Sequence, residues 1–334
     1  MTFNGKHLLM SSFFFRFFHK TLTMLVLNTT APRQILHFVL ICFPSIQSWQ
    51  HWLAFPLALL FLVAVVANIT ILAVIQREQR LHEPMYYFLA ILGVSDLVLC
   101  TATTPTILGI LCFNLKAITL PGCFFQMYII NCFLGIESST FLFMAYDRYT
   151  AICNPLRYTS VITGRFVTKA LVFTVLRNTL LSLPMPILAA RLDYCSTNVV
   201  EHCLCSNPPV TVLACGDRTI NTYYQLGIAW SVLGSDLLLI GLSYSMVLRA
   251  VWKRRSKGVA TKALSTCTSH LILISFFYTI LLFLIFINKF QKIIPTDVII
   301  MINVLHYLVP PALNPIVYGV RTKEIRQGMV KGII

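Results

Sequence analysis

A chain of 334 residues with 57% hydrophobic and only 11% charged residues, at a mean hydropathy of +0.78, has too little polar surface for a water-soluble globule. The composition therefore excludes a soluble domain and leaves an integral membrane protein. The net charge of +15 reads as a topology signal and as contact with anionic lipid, not as a nucleic-acid footprint.

The chain opens with Met1 to Thr23, where Phe13, Phe14, Phe15, Phe17 and Phe18 are interrupted by Arg16, His19 and Lys20 with no small-residue cleavage site after them. That makes a poor signal peptide. Asn28-Thr29-Thr30 is a glycosylation sequon, whereas Asn68-Ile69-Thr70 matches the same pattern inside an apolar helix and is read as unused.

A bilayer core of ~30 Å takes ~20 mostly apolar helical residues, and seven such stretches follow: Trp52 to Ile75, Tyr86 to Ile107, Gly122 to Ile152, Ala170 to Ala190, Thr222 to Val251, Thr261 to Ile287 and Val298 to Val320. Helices satisfy their own backbone hydrogen bonds in lipid, so the fold class is an all-α seven-helix transmembrane bundle. Residues 1–51 form the N-terminal segment, with 1–23 as an extension; 52–320 form the bundle and 321–334 the tail. The pairs Pro184 with Pro186 and Pro310 with Pro311 mark kinks or helix ends.

Most Lys and Arg fall on one side of these spans: Arg77 and Arg80, then Arg148 to Lys169, then Arg249 to Lys262, then Arg321 to Lys331. The positive-inside rule makes that side cytoplasmic and the N-terminus external. Val320 to Val330 has the pattern of a short amphipathic helix on the membrane.

Of 11 Cys, Cys195, Cys203, Cys205 and Cys215 crowd into one external loop, and Cys123 opens the third span on the same face. An oxidising compartment would pair such thiols. A zinc site is the alternative, but His202 is the loop's sole histidine and Cys203-x-Cys205 is tighter than usual ligand spacing. Five external cysteines leave one over unless it bonds elsewhere. Cys42, Cys100, Cys112, Cys132, Cys153 and Cys267 read as small apolar packing residues.

Met144-Ala145-Tyr146-Asp147-Arg148-Tyr149 places an acid and a base at the end of an apolar run, where ionisable groups are costly and are read by default as functional. It is one of five motifs in order. The others are Leu81 to Tyr86 with Ser95-Asp96, Ser243-Tyr244, Lys262 to His270, and Pro311 to Gly319. Together these motifs resemble a vertebrate olfactory receptor, a rhodopsin-like G-protein-coupled receptor, with wording similar to the class I branch. The resemblance runs from about Asn28 to Gly328 and implies Met24 as an alternative start to Met1. The chain departs from the family at Ala67, usually Gly, and at Asn288-Lys289-Phe290, often His-Arg-Phe.

The resemblance implies a switch in which Asp147 and Arg148 pair in the inactive arrangement, Arg148 turns to the G protein in the active one, and Tyr149, Tyr244 and Tyr318 take part. The bland alternative is an arginine anchored at lipid headgroups. Polar groups on apolar helices should face inward, and the resemblance gathers Asn68, Asp96, Glu137 and Asn314 into a central network. Two acids there call for a sodium ion or a shared proton, the alternative being a purely structural network. Asp236 and Arg177 are read as an interhelical pair.

Helical spacing puts Met127, Ile130, Asn131 and Leu134 on one face of the third helix and Tyr278, Leu282, Ile285 and Lys289 on one face of the sixth. With Asn207 of the cysteine-rich loop, these are the candidate ligand residues, suited to a small, mostly apolar molecule with one polar group. Each stripe is also what core packing produces. Lys289 could pair with a carboxylic acid, or could snorkel at the helix end beside Lys292. The family pattern further implies Cys123 bonded to Cys205, Cys195 bonded to Cys215, Cys203 left over, a stimulatory olfactory G protein and cyclic AMP as output.

No cofactor or catalytic constellation is expected: neither a His-Glu-x-x-His nor a Gly-x-Ser-x-Gly motif occurs. A secondary transporter would show matching halves, which these spans lack. A nonolfactory rhodopsin-like receptor for a small metabolite is the nearest alternative, separated by motif wording alone. The place expected for the protein is the plasma membrane.

Overall fold

The computed structural model describes residues 36–195, 197–253, 257–287 and 294–333. Among them the chain forms seven long helices: α1 His51–Arg77, α2 Pro84–Phe113, α3 Leu120–Cys153, α4 Gly164–Ala190, α5 Thr219–Trp252, α6 Lys257–Ile287 and α7 Thr296–Arg321. A short α8, Lys323–Ile333, follows. Six of the seven are long and apolar enough to cross a bilayer, and α6 is apolar over His270–Phe286.

Local chemistry sets the helix ends. Pro84 opens α2 where its missing N–H would be unpaired anyway. Thr119 and Thr163 cap α3 and α4, their hydroxyls accepting from the N–H groups of Gly122 and Phe166. Asn114 closes α2 in the left-handed region, φ 54°. Pro184 and Pro186 do not end α4, which passes through Leu183 into Pro184–Ala190.

Pro310, Pro311 and Pro315 all lie inside α7. Proline at 315 has no N–H for the carbonyl of Pro311 one turn earlier. Asn68 of α1 donates its side-chain amide to that carbonyl at 2.8 Å. The helix keeps its proline because a neighbour supplies the missing donor.

Two large buried apolar clusters fill the bundle, and a small third one sets Leu284 of α6 with Ile299 of α7. One of the large clusters reaches from Leu57 of α1, Ile107 of α2 and Met127 of α3 to the loops at that end; the other gathers Val74, Leu92, Phe141, Tyr244, Phe277 and Tyr318. The outer faces carry exposed Leu62, Phe173, Leu176, Leu238 and Leu242, as hydrocarbon solvent requires.

The expectation of an all-α protein needs one correction. A three-stranded sheet in the order β2-β1-β3 closes the loop end: β1 His37–Leu40 pairs antiparallel with β2 Ala117–Thr119 and parallel with β3 Val199–Val200. The register sets Leu40 beside Val200 and so brings Cys42 to Cys203, which form a disulfide. Cys203 is therefore not left over, and Cys42 is not a packing residue. A strand of four residues in an N-terminal segment has no periodic signal, so this pairing is not legible in the residues alone. The other bonds are Cys123–Cys205 and Cys195–Cys215.

The tail helix also differs in extent from the Val320 to Val330 expectation: α7 runs to Arg321 and α8 begins at Lys323. It packs on α1, with Ile325 buried and Gly328 so near Val74 that a Cβ would lie 2.7 Å from it. The sequon at Asn28 and the extension 1–23 lie outside the described residues.

Replacing Asn68 by Leu should destabilise the receptor by about 1–3 kcal/mol, the usual range for a buried group left unpaired. The loss should shrink when Pro315 is also replaced by Ala, which restores an N–H to the Pro311 carbonyl. Thermal melts of the two single variants and the double variant in detergent measure that coupling; strictly additive losses would contradict the pairing.

Candidate functional site

Under the disulfide-bonded loop the helices enclose a cavity of about 670 Å3. Of the predicted ligand residues, Ile130, Asn131 and Leu134 of α3, Asn207 of the loop and Ile285 of α6 line it. Met127 does not: it is fully buried in the apolar cluster, and its carbonyl accepts from Asn131 Nδ2 at 2.7 Å. Tyr278 and Leu282 are also outside the lining, because α6 turns Leu281, Leu284 and Ile285 inward. Lys289 lies outside the described residues.

Helix α4, absent from the predicted set, contributes Asn178, Leu181, Ser182 and Met185. Its closeness rests on Gly135, where any Cβ would collide with the Asn178 side chain. A glycine inside an apolar helix was the available signal. Helix α7 adds Asn303, His306 and Tyr307.

Beneath the cavity a polar layer crosses the bundle between the two large apolar clusters. Asn68, Asp96, Glu137, Asp236 and Asn314 are each no more than 3% exposed. Asn314 Nδ2 reaches both oxygens of Asp96, at 3.2 and 3.0 Å. Glu137 lies beside Asp96 within hydrogen-bond reach, and its Oε1 has no partner among the described residues. Two carboxyl groups can share a hydrogen bond only if one carries a proton; an orphaned buried oxygen beside a second acid also fits a small hard cation.

The second half of the layer joins four helices. Arg177 of α4 donates to Asp236 Oδ1 of α5 at 2.8 Å, to Ser139 Oγ of α3 at 3.2 Å and to Ser235 Oγ at 3.2 Å. Ser138 donates to Asp236 Oδ2 at 2.8 Å and shares a 2.7 Å hydrogen bond with the Tyr278 hydroxyl of α6. A π-helical turn, Ala229–Gly234, precedes Ser235 and Asp236, and its shifted hydrogen bonding leaves the Val232 carbonyl 3.4 Å from Arg177 Nη2. Tyr278 thus belongs to the cavity's floor network rather than to its wall.

At the far end of α3, Arg148 Nε donates to Asp147 Oδ2 at 2.9 Å, and Tyr158 of the following loop donates to Asp147 Oδ1 at 2.9 Å. Burial and the charge of Asp147 hold the Tyr158 phenol above its usual pKa. Tyr149 packs against Tyr146, and Tyr318, fully buried, meets His270 edge-on at 5.5 Å. Tyr244 is buried in the same apolar cluster.

In the cap, His202 is buried, with Nδ1 accepting from the Leu204 N–H at 3.1 Å. Burial lowers its pKa from 6.5 to about 4, against a smaller upward pull from the Leu204 backbone. Gln126 fastens the cap to the bundle, accepting from the Cys205 N–H at 2.9 Å and donating to Ala102 O and Thr106 Oγ1 at 2.8 and 3.0 Å.

Seven apolar helices around a capped cavity, with a polar layer below it and an acid-base pair at the opposite end, define a transmembrane receptor. The family model for the olfactory receptor matches residues 57–334. Over 302 residues the chain is 55% identical to human olfactory receptor 56A4, covering 90% of this chain and 96% of the relative. It is 49% identical to mouse olfactory receptor 56B34, covering 88% and 91%, and 39% identical to human olfactory receptor 52N2, covering 89% and 93%. The chain belongs to the olfactory receptor family, on its class I branch, and is a multi-pass plasma-membrane receptor rather than an enzyme.

Two outcomes test this geometry. Asp236→Ala leaves the Arg177 guanidinium without its counter-ion and should cost about 3–5 kcal/mol, read as loss of surface protein, whereas Ser139→Ala should cost about 1 kcal/mol. His202 folds neutral but takes up a proton near pH 6.5 when its loop unfolds. Cap stability should therefore be full above pH 6.5 and fall as pH drops toward 4, by on the order of 3 kcal/mol. Hydrogen exchange over residues 199–205 should show that slope, and His202→Gln should abolish it.

Proposed function

We propose that this odorant receptor binds a small, largely apolar ligand in the cavity beneath the disulfide-bonded loop and signals through a stimulatory, olfactory-type G protein to raise cyclic AMP. The observation that carries the reading is the continuity of the cavity floor with the polar layer. Leu134 and Gly135 line the cavity, and Ser138, one turn further along α3, holds Tyr278 of α6.

A receptor needs two arrangements close in free energy, with ligand and partner favouring the same one. Among the described residues α6 meets the layer through the Tyr278 hydroxyl, so a ligand pressing Leu281, Leu284 and Ile285 acts directly on the Ser138–Tyr278 hydrogen bond. Displacement of α6 then opens the end of the bundle where Arg148 sits. In this reading Asp147 and Tyr158 hold Arg148 inactive, Tyr149, Tyr244 and Tyr318 line its active position, and the basic side is cytoplasmic. Asp96 and Glu137 share a proton or a sodium ion that the active arrangement releases.

The ammonium of Lys289 supplies an anchor for carboxylic acids. Its support is its spacing in the sequence, four residues after Ile285, which lines the cavity. Asn28 is the proposed glycan site.

Cyclic AMP in cells expressing the chain with the olfactory G protein provides the test. Arg148→Ala should abolish the response at normal surface level, and Lys289→Ala should remove responses to acids alone. A full response from Arg148→Ala would refute the coupling.

A further inference from the structure

The imidazole of His306 serves neither the layer beneath nor the switch. His306 of α7 is 2% exposed and lines the cavity, and neither ring nitrogen has a hydrogen-bond partner among the described residues. Its ring is positioned by packing alone, with centroids 5.8 Å from Phe277 and 5.5 Å from Tyr307. A buried polar group without a partner is costly, and no described protein atom offsets that cost.

The other amides around the cavity point the same way. Asn131 and Asn303 each donate to their own helix, to Met127 O at 2.7 Å and Ile299 O at 2.8 Å. Asn207 donates to Asn221 Oδ1 and Gln225 Oε1 at 2.8 and 2.7 Å, and its buried Oδ1 has no partner. The described lining contains no Lys or Arg, and its one acidic residue, Glu201, is exposed. Among the described lining residues, the Asn207 side-chain oxygen and the His306 ring nitrogens are thus the buried polar atoms left unanswered.

We propose that His306 is the anchor for a hydroxyl group, making neutral alcohols and phenols a ligand class of this receptor; the proposal rests on the reading of the cavity as the odorant site. An uncharged imidazole presents one N–H and one lone pair. A hydroxyl answers one ring nitrogen at a time: it accepts from the N–H while donating its single hydrogen to an amide oxygen, or it donates to the lone pair and accepts from elsewhere. An ether, aldehyde or ketone accepts only and leaves the acceptors unanswered. A carboxylate meets no cation in the described lining, which separates this anchor from the one assigned to Lys289.

The test uses the full chain with the stimulatory G protein, surface levels matched, and five probes: 1-octanol, 4-propylphenol, the methyl ether of each, and octanoic acid. At least one hydroxyl probe should be about tenfold more potent than its ether, the scale of one hydrogen bond. His306→Phe should erase that ratio, and His306→Gln, which keeps a donor and an acceptor, should retain most of it. If His306→Phe fails to reach the surface, His306→Met provides the same deletion. An unchanged ratio in these deletions overturns the proposal, as does a wild type that answers the ethers or the acid through Arg148 but neither hydroxyl probe; in that case the receptor reading stands. Silence to every probe at normal surface level overturns both.

Discussion

The rest of this structure depends on the need to satisfy a layer of polar side chains inside an apolar bundle. In hydrocarbon an unpaired amide or carboxylate has no water to turn to. Apolar contacts alone are non-directional and tolerate rotation of one helix against another. The layer does not: Asn68 fixes α1 on the Pro311 carbonyl of α7, Asn314 fixes α7 on Asp96 of α2, and Arg177 fixes α4 on Asp236 of α5. Helix α3 meets both halves, through Glu137 on one side and Ser138 and Ser139 on the other.

That layer also lies between the cavity and the Arg148 end of the bundle. Above it is the cavity and below it the apolar cluster around Phe141, Tyr244 and Tyr318. Among the described residues α6 is joined to the layer through the Tyr278 hydroxyl, and Phe277 lies tilted against Phe141 of that apolar cluster at 5.5 Å. Helices α4 and α5 are held by a charged pair with several further hydrogen bonds. Among the described residues the layer thus holds α4 and α5 by a charged pair and α6 by a single hydroxyl.

The cap solves a different problem, that of covering an apolar cavity with loops rich in backbone polar groups. Three short strands pair some of those groups, Gln126 pairs another, and three disulfides fix the path of the chain. Phe38 is the apolar pin of this cap, fully buried and edge-on to Tyr194 at 5.2 Å.

The number and order of the helices, the family, and the inward placement of Asn68, Asp96, Glu137, Asp236 and Asn314 are legible in the residues alone. Each follows from a local quantity: the length of an apolar run, a motif, or the cost of a polar group in lipid. The Cys42–Cys203 bond, the wall given by α4 and the isolated imidazole of His306 were not legible. They depend on which distant segments touch: strand register in the cap, the close approach allowed by Gly135, the rotation of α6 that sends Leu281 and Leu284 inward and Tyr278 to the layer. Helical periodicity gives a stripe only to within a residue or so. The tertiary structure decided which edge of the stripe meets the cavity, because only packing against all neighbours at once fixes the rotation of a helix.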